Sequence, residues 1–108
     1  MFYHIVMMRL NGKAGAEFHA QAEAFAARVR RESAGLVHYG YGVNVAGRGK
    51  DYDHVVLSIF ESSAAHDLYQ VSPVHQAMKA FMTPYIEDLV VCDTDLPSPA
   101  PIRAGVLK

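Results

Sequence analysis

Two segments of this chain alternate in the manner of β-strands, yet both are apolar on both faces. In "FYHIVMMRL", residues 2 to 10, His4, Val6, Met8 and Leu10 fall on one face, and Tyr3, Ile5 and Met7 on the other. In "HVVLSIFES", residues 54 to 62, His54, Val56, Ser58 and Phe60 share a face, while Val55, Leu57 and Ile59 share the opposite one. A strand with two apolar faces has to be covered twice. Helices can cover one side of such a sheet, so the other side needs a separate partner.

The remaining segments supply the helices and two more strands. Residues 14 to 34 place Phe18, Ala22, Phe25 and Val29 on one helical stripe. Asn11 or Gly12 is expected to start that helix and Gly35 to end it in the left-handed conformation. "LVHYGYGVNVA" reads as a second strand and "GRGKDYD" as a turn. That turn is not a phosphate loop, because a strand follows it. Ser62 or Ser63 can cap a helix through "AAHDLYQ", and Pro73 restarts helix in "VHQAMKAFM". "IEDLVVCDTDL" is a last strand. The order β-α-β-β-α-β predicts an α+β, ferredoxin-like sandwich over residues 1 to 96: a four-stranded antiparallel sheet with both helices on one face. Tyr3, Ile5, Met7, Val55, Leu57 and Ile59 would then lie bare, and burying each is worth roughly 1.5–3 kcal/mol. A homodimer stacked face to face is the expected remedy. Residues 97 to 108, rich in proline, are expected to be an extended tail.

Composition narrows the function classes. With 108 residues and 51% hydrophobic content the chain can build one core without staples. A net charge of −1, with mixed signs, argues against nucleic acid or an anionic membrane as a partner. The single cysteine, Cys92, excludes an internal disulfide and suits a cytoplasmic setting; it is expected as a buried thiol on the dimer face. No apolar run approaches a membrane span, and "MFYHIVMMRL" lacks the marks of a signal peptide. No metal-binding motif is present, and no cofactor is expected.

The segments "YHIVMMRL", "GYGVN", "YDHVVLSIFES", "LYQVSPVHQAM" and "LVVCDTD" resemble, in order and spacing, those of the Dabb domain, the stress-responsive dimeric α/β-barrel family. The resemblance covers residues 2 to about 95 and implies a ferredoxin-like protomer in a dimeric barrel. The family holds plant stress proteins and polyketide cyclases of the olivetolic acid cyclase type. In those cyclases a Tyr/His pair does acid–base work on a poly-β-keto substrate. The matching positions are Tyr69 and His75, with Asp93 as the carboxylate that orients the histidine; His4 and His54 match two further histidines. Ser72-Pro73-Val74-His75 stands where the family often has His-Pro-Ala-His, and Ala26 lies near where the cyclase has a pocket tyrosine.

Strand order brings His4, Tyr69, His75 and Asp93 to one end of the sheet, with His75 and Asp93 expected as a hydrogen-bonded pair. His54 is expected about six strand positions from His4, at ~3.3 Å each, too far to share a metal ion. His4, Val6, Phe25, Val56 and Phe60 are the expected walls of a cavity for a small hydrophobic ligand. His19, His38 and His66 read as surface residues. Three readings stay open: an acid–base enzyme acting next to a carbonyl, a non-catalytic stress or ligand-binding dimer, and a haem or oxygenase-type protein. A cavity of about 300 Å³ reaching His75 would favour a ligand.

Overall fold

The alternation of residues 2 to 10 becomes β1 (Phe2–Leu10), the inner strand on which the fold is assembled. It is followed by α1 (Ala16–Glu32), β2 (Leu36–Val43), β3 (His54–Phe60), α2 (Ser63–Gln70), α3 (Pro73–Met82), a 3-10 turn (Thr83–Tyr85) and β4 (Ile86–Asp95). The structure, a computed structural model, describes residues 1–98. The proline-rich tail therefore lies almost wholly outside the described residues. The four strands form one antiparallel sheet in the order β2-β3-β1-β4. This is the ferredoxin-like α+β arrangement that the element order predicts.

Period-2 alternation decides what each strand buries. On the helix side, Met8, Val56, Ser58 and Phe60 are buried, and Phe60 is fully so. The stripe Phe18, Ala22, Phe25 and Val29 of α1 packs onto this layer with Ala26. Glycine does two jobs around α1. Gly15, not Asn11 or Gly12, precedes the first turn, without a side-chain cap. Gly35 has φ +75°, as the C-terminal reading requires, although Ser33 ends the helix itself. The caps of the later helices follow sequence: Ser62 accepts from the Ala65 amide, and Ser72 accepts from the His75 amide ahead of Pro73. Phe81 stacks on Phe18, and Tyr85 packs tilted against it, at the far end of the core.

On the other side of the sheet, no element among the described residues covers Tyr3, Ile5, Met7, Val55, Leu57 and Ile59. Leu57 is 36% exposed, and Val90 of β4 adds to the same face. Cys92 lies opposite Ile5 on this face, as the sequence predicts, and is exposed in the protomer, so only a partner could bury the thiol. No helix is long and apolar enough to cross a membrane among the described residues.

Candidate functional site

The site gathers where β1, β3 and β4 meet α2 and α3. Register places His4 opposite both Ser58 of β3 and Asp93 of β4. The consequence is a direct contact: Asp93 Oδ1 lies 2.5 Å from His4 Nδ1. The Ser58 hydroxyl donates to the His4 carbonyl and pins the strand beneath the ring. Asp93 is therefore the partner of His4, and the expected His75–Asp93 pair does not form. His75 rides on α3 behind the Ser72–Pro73 cap, whereas Asp93 is fixed by β1–β4 pairing to the residue directly across from it.

His75 instead packs edge-on against Tyr69, with ring centroids 4.7 Å apart. Its Nδ1 is closed off from solvent and has no hydrogen-bond partner among the described residues. Burial is the largest influence on His75 and lowers its pKa; the Gln70 backbone opposes this, and His4, Lys79 and His66 reinforce it. The ring is thus held neutral near pH 7. Tyr69 is 4% exposed, with its hydroxyl 3.5 Å from that of Tyr39, whose own hydroxyl is 3.4 Å from the Met78 sulfur. Burial, then the Tyr39 hydroxyl, raises the Tyr69 pKa far above that of free tyrosine. The phenol therefore keeps its proton and can only donate or accept hydrogen bonds.

His4, Tyr69 and His75 line one cavity of about 270 Å³. Its remaining walls are mainly apolar: Val6, Met8, Val56, Met78, Met82, Ile86, Leu89 and Val91, with Gln70, Lys79 and Thr83 among the polar lining groups. The volume is slightly below the ~300 Å³ at which small-ligand sites begin. Val6 and Val56 stand where the sequence predicts. Phe25 and Phe60 do not line the cavity; both are consumed by the packed core beneath it.

His66 is the residue that sequence reasoning misses. It is 7% exposed, not a surface residue, and its ring lies 4.4 Å from that of His4 and 4.7 Å from Phe2. Burial lowers its pKa, with His4 as the next contribution, and Gln70 Nε2 lies 3.0 Å from its Nε2. The signal was present in its spacing, since His66 precedes Tyr69 by three residues and so shares its helix face.

His54 sits opposite Met8, four residues along β1 from His4 rather than about six. It belongs to a second group: its Nδ1 is 2.7 Å from Asp53 Oδ1, and its ring stacks on His19 at 4.8 Å. His19 Nδ1 is 3.0 Å from the Tyr41 hydroxyl, whose pKa is pushed up to about 12 by burial and the nearby Asp53 and Glu23 carboxylates. A polar depression of about 610 Å³ lies against the β2–β3 loop around Asn44, Lys50 and Asp53, bordering this second group through Asp53 and apart from the His4–His75 cavity.

A four-stranded antiparallel sheet with its helices on one face, and a histidine–tyrosine cavity beneath them, places the chain among ferredoxin-like α+β proteins. Within that class it belongs to the stress responsive A/B barrel domain (Dabb) family, which it matches over residues 2–96. No curated protein sequence matches it. Solved structures that resemble it include a dimeric ferredoxin-like protein of unknown function from Jannaschia sp. CCS1, with 25% identity, 88% of this chain and 98% of that one covered, and a TM-score of 0.78. A hydroxynitrile lyase from Passiflora edulis has 19% identity, covers 93% and 96%, and has a TM-score of 0.78. An antibiotic biosynthesis monooxygenase has 15% identity, covers 91% and 100%, and has a TM-score of 0.75.

Proposed function

We propose that the protein is a homodimeric acid–base enzyme that removes a proton next to the carbonyl of a small hydrophobic, polyketide-like substrate. One observation carries the reading. His75, its pKa lowered by burial, packs edge-on against a protonated Tyr69, and both residues line one apolar cavity.

In this reading His75 takes the α-proton and Tyr69 donates its O–H to the carbonyl oxygen as negative charge develops there. The proton held on His75 then returns to carbon or to the leaving oxygen, so the enzyme ends unchanged. Asp93 orients a histidine, as the family resemblance implies, but that histidine is His4, whose ring centroid lies 6.4 Å from that of Tyr69.

The homodimer rests on the bare sheet face and on the likeness to the dimeric ferredoxin-like protein from Jannaschia. A cytoplasmic setting rests on the single cysteine.

The test is deuterium incorporation α to the carbonyl of medium-chain β-keto esters in D₂O, followed by proton NMR. The wild type should accelerate exchange over buffer, and His75→Gln should lose about 10²-fold or more of that acceleration. Acceleration that survives His75→Gln intact would leave a non-catalytic ligand-binding dimer as the better reading.

A further inference from the structure

We propose that His4, His66 and Asp93 form a binding site for a divalent transition-metal ion of the Zn²⁺ class, with one coordination position left open. The three side chains come from β1, α2 and β4, and one ligand atom from each lies within 4.8 Å of the other two. Two imidazoles and a carboxylate are the donor set that zinc and its neighbours accept in three-ligand sites, which keep a fourth position for water or substrate.

Several features suit the cluster to an ion. Both rings are buried, so the ligands do not have to be gathered from solvent. Metal bonds of about 2.0–2.1 Å put tetrahedral ligand atoms about 3.4 Å apart. The widest pair therefore has to close by at most about 1.4 Å from 4.8 Å. The His4–Asp93 pair has to open by about 0.9 Å from 2.5 Å, giving up its hydrogen bond to the ion. Rotation of the Asp93 carboxylate, 41% exposed, suffices for part of this. His4 belongs to both the cluster and the cavity wall, so an ion here would sit beside the cavity that Tyr69 and His75 line. Because the three ligands are scattered along the chain, no short motif marks them.

The experiment is calorimetric titration of the untagged full chain with ZnCl₂, with Co²⁺ absorption as a second readout. The expected result is one ion per chain and a d–d spectrum typical of low-coordinate cobalt. Asp93→Asn and His66→Phe should each weaken binding by about 10-fold or more. Asp93→Asn replaces a part-exposed side chain with one of the same shape, and His66→Phe keeps the aromatic packing against Phe2 and Phe60; circular dichroism checks that both fold. Tyr69→Phe should bind the ion as the wild type does, which separates this result from that of the exchange assay. Absence of stoichiometric binding overturns the proposal. So does binding that survives both variants, or that is lost instead with His19→Ala or His54→Ala, because the cluster would then be a hydrogen-bond network only.

Discussion

Replacing Leu57 with lysine tests the dimer. Leu57 lies mid-strand on the bare face, opposite Ile5 and Gly40, and is 36% exposed in the protomer. Only about a third of its side chain remains to be buried on association. At roughly 1.5–3 kcal/mol for a full side chain, that is about 0.5–1 kcal/mol per protomer and about 1–2 kcal/mol per twofold dimer. Leu57→Ala should therefore weaken the dimer only about 5- to 30-fold. Lysine adds a second and larger effect. Two ammonium groups would have to be desolvated in an apolar seam, at several kcal/mol each. The Leu57→Lys dimer should dissociate at least about 10³-fold more readily. The protomer itself should keep its fold, because a lysine on an open face extends its charge into water. Sedimentation velocity over a concentration series reads this directly, with circular dichroism as the control for folding. A monomeric wild type, or a Leu57→Lys dimer as tight as Leu57→Ala, would refute the stacking of bare faces.

Further outcomes follow from the same geometry. Cys92 shares that face, so its thiol should react slowly with a disulfide reagent in the wild-type dimer and rapidly in Leu57→Lys; equal rates would place the thiol outside the seam. Gly35→Ala puts a Cβ 2.7 Å from that of Ala65 at a φ of +75°, and should cost about 1–3 kcal/mol, read as a lowered Tm. His75 has a depressed pKa in the fold, so the unfolded chain binds its proton first. Stability should be full above the ordinary value of 6.5 and fall as pH drops through the folded value. His4, His66 and Lys79 bear on the same ring, so the comparison that isolates it is His75→Gln, whose melting curve should depend less on pH in that window.

Much of this architecture is legible in sequence, and for a physical reason. A period of two leaves only one assignment of faces once a strand is recognised, so the inner and bare faces of β1 and β3 follow directly. Strand order then brings His4 and Asp93 to one end of the sheet. What sequence does not give is the last few ångströms. Choosing between His4 and His75 as the partner of Asp93 requires the β1–β4 register, which side-chain pattern alone leaves free by two residues. Phe25 and Phe60 have the composition of cavity walls, but whether a large apolar side chain lines a void or fills it depends on packing from three elements at once. His66 reads as polar and exposed among Ala64, Asp67 and Leu68; only its helical phase with Tyr69 reveals that it turns inward.

The central claim is that Tyr69 and His75 act together on one proton transfer. A double-mutant cycle on the exchange reaction measures this: wild type, Tyr69→Phe, His75→Gln and the double variant, each checked for native folding. Groups that serve the same step fail together, so the double variant should be little slower than the worse single variant. Effects that multiply independently, or single variants that exchange as fast as the wild type, would contradict the account.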